Sequence, residues 1–387
     1  MLFLSSFRLN EIIYSNTQKY VLAENYVYQG LLWLDKSGKY DHEYHIHYTD
    51  GFNEFLFKKH WGVYDVNCAF VITNNGDTLF SKIALIGFGK DTLFDIALFL
   101  RNTSTQLSIA DSVNIEGRCF IPLGFTKQNI STQYVHFSSG LVQTSPDTLF
   151  SLPNISTITT WLIDNNNIGK TKIILDDTEI ISFASKPLLI NADTVIIKGT
   201  LKGNILISAQ HIEVSSTAAL KDVILIGRNI FFNKNFSGNL QAFAADSIIA
   251  GDDVHFNYPS ILALLPQIRS EKAHDNSSAV IQIGDSLRFS GELYAYARGR
   301  DINQRMKLST GTGSVIFGGI YSSCDLYWNG DCKGTIICDK IFYNNKITSY
   351  ENTIRNSKIE VDSLPDFFSY SLLFPMLSHK KVIQWLN

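Results

Sequence analysis

The feature that most constrains the fold is a repeat of 17–18 residues that begins near Pro187. Segments that start at Ala192, Ala209, Gly227 and Ala245 align with one another, at steps of 17, 18 and 18 residues. The fourth position of each segment is aliphatic: Val195, Ile212, Ile230 and Ile248. Alternate side chains of a strand point to opposite faces, so the pattern predicts short strands around a shared apolar interior. A period of this length is typical of one coil of a β-solenoid, which must stack on its neighbours to bury its apolar face.

The same register resumes at Gly284 and continues to Phe342. Residues 265–280 are largely polar and charged, and they are predicted to leave the stack as a loop. A weaker version of the pattern in LSIADSVNIEGRCFIP (107–122) predicts that the solenoid begins before residue 120, with an irregular segment at 123–186. The sequence therefore predicts three regions: a helix and β-strands at 1–106, the β-helix at 107–345 and a C-terminal capping tail at 346–387.

The N-terminal region has a different periodicity. Ala23, Val27, Leu31 and Leu34 follow at spacings of four, four and three, which predicts one amphipathic helix over 17–34. After Asp35 the segments become short and β-rich, and Asp-Gly and Asn-Gly steps separate them as turns. Helix-compatible stretches are almost absent between residues 50 and 360. The region is predicted to be a short helix followed by a β subdomain.

The composition excludes several classes of protein. Hydrophobic residues make up 45% of the chain and the net charge is −3, which argues against intrinsic disorder. The same balance provides no basic surface for nucleic acid, so no nucleic-acid partner is expected. The most apolar stretch, residues 83–100, contains Lys90, Asp91 and Asp95, and it is predicted to form two strands around a turn rather than a membrane span.

Both chain ends are apolar. MLFLSSFRLNEI at the N-terminus lacks a basic n-region and a small-residue cleavage site, so it is not a complete signal peptide. It is interpreted either as the ordinary start of a helix or as the last turns of a membrane anchor that begins upstream. The C-terminal tail carries eight large apolar side chains: Phe367, Phe368, Leu372, Leu373, Phe374, Val382, Ile383 and Trp385. They are expected to cap one end of the solenoid, or alternatively to dock a partner or a membrane.

The five cysteines are sparse and odd in number: Cys68, Cys119, Cys324, Cys332 and Cys338. They do not have the spacing of a disulfide framework or of a structural zinc site. They are predicted to be small core residues.

Four short patterns are candidates for a metal-binding or catalytic site. In DHEYHIHYTD (41–50), His45 and His47 share a strand face, and with Asp41 or Asp50 they would make a metal site. The motif has no fixed third ligand. These histidines and aspartates are therefore interpreted as solvent-exposed residues of a strand.

GDDVHF (251–256) resembles the Gly-Asp-Asp element of polygalacturonases, which use clustered carboxylates as acid and base. The other polygalacturonase elements, Asn-Thr-Asp, Gly-His-Gly and Arg-Ile-Lys, are missing. Asp252 and Asp253 would also point to opposite sides of an extended segment. They are expected to be turn residues.

ARGRD (297–301) places Arg298 and Arg300 beside Asp301, as a pectate-lyase-type elimination would need, but no second acidic cluster accompanies them. Left-handed β-helix acyltransferases have an aliphatic residue at every sixth position, and in this chain that pattern is broken at Glu213. His211 and His255 are isolated in the sequence and have no recognisable catalytic partner. No catalytic, cofactor-binding or metal-ligating residue is therefore assigned, and no cofactor is expected.

The chain resembles two groups of known proteins. GTLKGNILI (199–207) and VSSTAALKDVILI (214–226) are similar to the glycine-then-aliphatic rungs of bactofilins, the polymer-forming cytoskeletal proteins. This resemblance covers about residues 190–345 and implies self-association through the ends of the solenoid. The chain differs from bactofilins by some 180 residues in front of the rungs, by the loop after residue 264 and by its apolar C-terminus.

The whole chain resembles uncharacterised bacterial envelope proteins in which an N-terminal anchor and short helix precede a β-strand region and a β-helix. The matching elements are the helix at 17–34, HWGVYD (60–65), SLPNIS (151–156), LQAFA (240–244) and KVIQWL (381–386). This resemblance implies a location in the cell envelope, membrane-associated or periplasmic, with the cytoplasm as the alternative.

The sequence thus predicts an all-β protein: a right-handed parallel β-helix with a short N-terminal helix and β subdomain. The expected function is that of a non-enzymatic structural or interaction protein of the bacterial envelope. Its expected partners are a protein or a second copy of the chain, with a glycan as a further candidate. The alternative is a carbohydrate-active β-helix enzyme, a polysaccharide lyase or a glycosidase, with clustered carboxylates, arginines and aromatic residues along one face.

Overall fold

The computed structural model describes residues 2–90, 95–101, 105–127, 135–137, 141–142, 146–268, 278–297, 306–345 and 347–386. The chain forms two compact units. The first contains the residues up to Gly87 together with those from Lys380 onward, and the second runs from Phe88 to His379. This boundary differs from the division predicted at residue 106, because the strand at Ile96–Leu100 belongs to the second unit.

The two helices are α1 (Leu2–Ser37) and α2 (Ile155–Asn165). The strands are β1 (His42–His47), β2 (Phe52–Trp61), β3 (Tyr64–Thr73), β4 (Thr78–Gly89), β5 (Ile96–Leu100), β6 (Leu107–Glu116), β7 (Arg118–Phe120), β8 (Phe125–Lys127), β9 (Val135–Phe137), β10 (Leu141–Val142), β11 (Lys172–Leu175), β12 (Thr178–Ile181), β13 (Leu188–Ile197), β14 (Thr200–Gly203), β15 (Ile205–Val214), β16 (Ala219–Phe232), β17 (Ser237–Ala250), β18 (His255–Leu264), β19 (Val280–Ile283), β20 (Arg288–Ala295), β21 (Lys307–Ser309), β22 (Val315–Tyr327), β23 (Asp331–Asn344), β24 (Ser349–Glu351), β25 (Thr353–Glu360), β26 (Ser369–Tyr370) and β27 (Lys380–Leu386). The mainly β fold with an N-terminal helix is confirmed.

The first unit is an antiparallel sheet packed against α1. Strands β1 to β4 pair in chain order, and β27 adds to β4. The helix buries the four residues that the periodicity predicted: Ala23, Val27, Leu31 and Leu34. They pack with Leu56, Ala69 and Val71 of the sheet. The predicted helical face is confirmed, and the helix itself is longer than the predicted 17–34.

A buried ion network holds the first unit together around Asp65, which is fully buried. Lys380 Nζ lies 2.9 Å from its Oδ2 and Lys58 Nζ lies 3.8 Å from the same oxygen. Tyr40 donates a hydrogen bond to Oδ2 at 2.8 Å, and His60 Nδ1 lies 3.3 Å from Oδ1. This carboxylate therefore links β2, β3 and β27 through a cluster of cationic and polar groups.

The second unit is built from parallel strands that lie directly above one another, which we call the parallel stack. One inward column shows the register: Val195, Ile212, Ile230, Ile248, Ile281, Leu308, Leu326 and Ile341 are successive partners. The first three steps are 17, 18 and 18 residues, as the repeat predicted. The step from Ile248 to Ile281 is longer because the chain leaves the stack between β18 and β19. There Pro266–Ile268 form a buried 3-10 turn, and residues 269–277 lie outside the described residues.

The stack is not assembled in chain order. Strands β5 to β10, which come before the repeat in sequence, add to its C-terminal end. Leu98 and Leu100 of β5 pair with Ile336 and Cys338 of β23, and β6 pairs with β25. Strands β7 to β10 extend the stack beyond them. The pattern at 107–122 was thus correctly assigned to the stack, but these coils follow residue 360 in space rather than precede residue 187.

The chain then returns along the side of the stack to its first coil. Tyr321 of β22 donates a hydrogen bond to Phe150 O at 2.8 Å, and Ser208 of β15 donates one to Asn166 Oδ1 at 3.1 Å. Between these contacts lies α2, which buries Ile158 and Leu162. Repeat-like coils begin directly after it, with β11 and β12. The segment predicted to be irregular, 123–186, therefore contains both this helix and the first coil.

The C-terminal tail does not cap an end of the stack, which corrects the prediction for 346–387. Strand β25 is itself part of the stack, and β27 belongs to the antiparallel sheet. Residues 365–379, here called the strap, lie along one side of the stack and bury Phe368, Leu373 and Phe374. The physical reason is that strands β5 to β10 already occupy the end that the tail was expected to cover.

Candidate functional site

A polar groove of about 640 Å³ lies along one corner of the parallel stack. The turns that follow β17, β19, β21 and β22 form most of it, so successive coils contribute equivalent residues. Coils of a parallel sheet repeat every ~4.8 Å, and four of them give the groove a length of about 14 Å.

Three aspartates line the groove, and each fastens its own turn to the next coil. Asp252 Oδ1 accepts a hydrogen bond from Asp285 N at 2.9 Å, and Asp285 Oδ1 accepts one from Thr312 N at 2.7 Å. Asp331 Oδ1 accepts one from Lys358 N at 2.8 Å. Among the described residues the second oxygen of each carboxylate has no hydrogen-bond partner. The row of aspartates therefore has a structural role on one side and free acceptors on the other.

The groove lies where one set of equivalent corner positions in successive coils, here called the column, is occupied by glycine. In the first coils this column holds Lys198, Ser215 and Asn233, which follow the paired residues Ile197, Val214 and Phe232. In the next coils it holds Gly251, Gly284 and Gly311, which have no side chain. A Cβ on Gly284 would lie 2.6 Å from Gly251 C, and one on Gly311 would lie 2.4 Å from Gly284 C. The glycines let the turns approach closely, and backbone forms the floor of the groove.

Asn329 and Thr310 stand where the glycine column ends. Asn329 N donates to Thr310 Oγ1 at 3.0 Å, and Asn329 Nδ2 donates to Asn344 O at 3.0 Å. The remaining atom, Asn329 Oδ1, is buried without a hydrogen-bond partner in the described part of the chain. A buried amide oxygen without a partner costs free energy, and such groups are normally satisfied by water or a ligand.

An aromatic platform closes one end of the groove. The ring of Tyr343 stacks with Tyr350 at a centroid distance of 6.4 Å, and the Arg355 guanidinium carbon lies 5.4 Å from the Tyr343 centroid. Arg355 forms an ion pair with Asp111, and this hydrogen bond raises the pKa of the guanidinium. The arginine is thus a fixed cation whose charge is already compensated.

The carboxyl group with the strongly raised pKa is not in this groove. Burial raises the pKa of Glu292 to about 7, although hydrogen bonds from Tyr294 and Ser371 act to lower it. Glu292 lies beneath the strap, where Ser371 N and Ser371 Oγ donate to its two oxygens at 2.6 and 2.7 Å. A carboxyl group sealed in this way is out of reach of a substrate in the groove.

A second, smaller depression of about 310 Å³ lies on the outer face of β13, β15, β16 and β17. His211 lies there with Nδ1 3.4 Å from Asn229 Nδ2, and Ser247 donates to Asn229 Oδ1 at 2.7 Å. His255 is on β18, opposite Ser237 and Arg288 in register. The two histidines singled out in the sequence are therefore not brought together.

The other sequence motifs are also dispersed. His45 lies 3.7 Å from Glu43, His47 contacts Asn53, and Asp50 accepts a hydrogen bond from Tyr26 at 2.7 Å. No cluster of three or more His, Cys, Asp or Glu residues suited to a metal ion occurs in the described ranges. The five cysteines are buried and unbridged, as predicted.

Asp252 and Asp253 act separately, because Asp253 pairs with Lys234 at 3.5 Å while Asp252 lines the groove. Arg298, Arg300 and Asp301 lie outside the described residues. Sequence reasoning missed Thr312, Asn329 and Tyr343. The repeated Gly-Asp steps at 251 and 284 were the available signal for the first part of the groove, and Tyr343 had none.

None of the helices that the structure describes has a segment long and apolar enough to cross a membrane. No family model matches the chain, and no curated protein is similar to it. Among solved structures the chain is similar to the competence-associated pilin ComZ from Thermus thermophilus, at 9% identity over 96% of both chains with a TM-score of 0.21. A score this low carries no argument about fold or function.

Proposed function

We propose that the protein is a non-enzymatic interaction protein of the bacterial cell envelope, built on a right-handed parallel β-helix. Register steps of 17 and 18 residues between parallel strands support the β-helix. The right-handed sense rests on the strong chiral preference of parallel crossover connections. The envelope location rests on the sequence resemblance to envelope β-helix proteins, and the bactofilin-like rungs support a scaffold role.

The observation that carries the non-enzymatic assignment is the use of the groove carboxylates. Asp252, Asp285 and Asp331 each hold the backbone of the next coil through one oxygen. Glycosidases instead need one carboxyl group to act as an acid and a second to act as a base or nucleophile. All three aspartates have the same backbone-holding role and supply no such division of roles, and this favours binding over cleavage.

The first coil supports self-association as one interaction of this scaffold. Strands β11 and β12 pair only with β13 and β14 within the described residues, so their outer edges carry backbone groups without strand partners. Ile174 and Ile180 on these strands are 50% and 66% exposed. An apolar strand edge of this kind is a template for pairing with another chain.

Sedimentation velocity over a range of protein concentrations tests the self-association. We expect the intact chain to form dimers or larger species and Ile180→Lys to remain monomeric, because a lysine at an edge opposes pairing. Ile347→Lys is the matched control, since Ile347 is 90% exposed outside the first coil. An intact chain that stays monomeric, or equal association of both variants, would contradict this part of the proposal. Recovery of the protein in the cytoplasmic fraction of its source cells would contradict the envelope location.

A further inference from the structure

We propose that the polar groove binds an extended, uncharged oligosaccharide that runs along the axis of the parallel stack. The inference rests on the proposed function, because it names the ligand class of an interaction scaffold. Four features of the groove support this ligand class: its shape, its free acceptors, its aromatic end and its charge.

The shape fits a linear polymer. The glycine column removes side chains from the corner of three successive coils, and the resulting floor is continuous backbone about 10 Å long within the longer groove. The walls repeat with the coils, so that Asp252, Asp285 and Thr312 present oxygen atoms at a regular interval. A ligand with repeating polar groups can contact several coils in the same way, which a compact small molecule cannot do.

The polar atoms fit hydroxyl groups. Each groove aspartate has one oxygen engaged with the backbone and one without a partner among the described residues, so each accepts a further hydrogen bond without loss of the turn. The buried Oδ1 of Asn329 is another acceptor without a partner in the described ranges. Sugar hydroxyls are donors and also acceptors, so they can bond to these atoms and to the hydroxyl of Thr312. Hydrogen bonds to a carboxylate are stronger than those between neutral groups.

The aromatic end fits the apolar face of a sugar ring. Tyr343 is held in place by its stack with Tyr350 and by the Arg355 guanidinium. An aromatic ring fixed in this way buries apolar surface with little loss of conformational freedom, and its hydroxyl still meets water. Carbon-bound hydrogens on one face of a pyranose present a flat apolar surface of matching size.

The charge of the groove excludes anionic ligands. Three aspartates face one arginine, and Asp111 already compensates that arginine. A polyuronate or a nucleic acid would therefore meet net repulsion, and no described metal-ligand cluster is present to bridge it. The charge thus favours an uncharged glycan.

Isothermal titration of the intact chain tests the proposal with three hexasaccharides: β-1,4-linked N-acetylglucosamine, β-1,4-linked glucose and galacturonate. We expect saturable binding of at least one uncharged hexamer, with a dissociation constant below about 1 mM. The galacturonate hexamer should bind at least about tenfold more weakly. Absence of binding by both uncharged hexamers, or tighter binding of galacturonate, would overturn the proposal. Sedimentation of the same sample reports self-association separately, so the two proposals can fail independently.

Two variants with matched controls locate the site. Tyr343→Ala should weaken binding about fivefold or more through loss of the platform, whereas Phe231→Ala, an exposed aromatic elsewhere on the stack, should not. Asp285→Asn keeps the acceptor for Thr312 N but removes the charge, and it should weaken binding about threefold or more. Asp253→Asn, outside the groove, is its control. Equal affinity of all four variants would place the ligand elsewhere and overturn the assignment.

Discussion

The two units bury a carboxylate in opposite ways. In the antiparallel unit, Asp65 is surrounded by Lys380, Lys58 and His60. In the parallel stack, Glu292 accepts hydrogen bonds from Tyr294 and Ser371, and no cation pairs with it among the described residues. Burial raises both pKa values, but the contact with His60 and the charge of Lys380 outweigh it at Asp65, whose pKa is lowered. The comparison shows that neutral donors satisfy a buried carboxyl without offsetting its desolvation.

The two groups therefore give opposite dependences of stability on pH. For Asp65 the folded pKa lies below the unfolded value, so its contribution is present above pH ~4 and is lost as the pH falls through the folded pKa. For Glu292 the folded pKa lies above the unfolded value of 4.5. Its contribution is fully present below that value and is lost as the pH rises through about 7.

The largest expected effect comes from breaking the charged network. Asp65→Ala should destabilise the antiparallel unit by about 3–5 kcal/mol at neutral pH, because it leaves the buried Lys58 ammonium without its ion-pair partner and removes the nearest carboxylate from Lys380. Hydrogen exchange of peptides from β2 and β3 would measure this loss. Asp77→Ala, at an exposed turn of the same sheet, is the control and should cost less than about 0.5 kcal/mol. A loss below about 1 kcal/mol for Asp65→Ala would mean that the network contributes little.

The next largest effect is expected at Glu292, whose hydrogen-bond donors are uncharged. Glu292→Gln should remove the pH dependence of strap stability between pH 4.5 and about 7, which amounts to about 3 kcal/mol for a shift of this size. Hydrogen exchange of peptides covering residues 365–379, measured from pH 4.5 to 8, reports it. The intact protein should protect the strap less at pH 8 than at pH 5. Glu179→Gln, at an exposed position of the first coil, should leave that dependence unchanged, and a pH-independent strap in the intact protein would refute the role of Glu292.

The smallest effect on stability is expected from an ion pair at the surface. Lys234 and Asp253 form an ion pair of 3.5 Å with both side chains about half exposed. Asp253→Asn should change the free energy of unfolding by less than about 0.5 kcal/mol, because water already screens the pair. Thermal unfolding at low and high salt would measure it. A loss comparable with that of Asp65→Ala would show that burial does not explain the difference between the pairs.

Local patterns in the sequence predicted local structure well. The spacing of Ala23, Val27, Leu31 and Leu34 identified the buried face of α1, and the 17–18-residue period identified the inward column from Val195 to Ile248. Both patterns arise because side chains close in sequence share one face. The order of the coils could not be predicted, because Ile115 pairs with Ile359 across more than half of the chain and leaves no periodic signal.

The candidate groove was predictable in part. Gly-Asp steps at 251 and 284 mark two of its turns, and the sequence shows both. The next turns carry Gly-Thr and Asn-Gly-Asp instead, so the column is visible only when the coils are superposed in space. Glu292 was hidden for a similar reason. Its strand position faces outward, and only the strap, some 80 residues later, buries it.

The most direct test of the central claim is to incubate the intact chain with a β-1,4-linked N-acetylglucosamine or glucose hexamer that it binds and to analyse the recovered sugar by mass spectrometry. A binding scaffold returns the hexamer at full length after prolonged incubation at saturating concentration. Shortened oligosaccharides or unsaturated ends, produced by the intact chain and lost in Asp285→Asn, would contradict the account and establish a glycosidase or lyase.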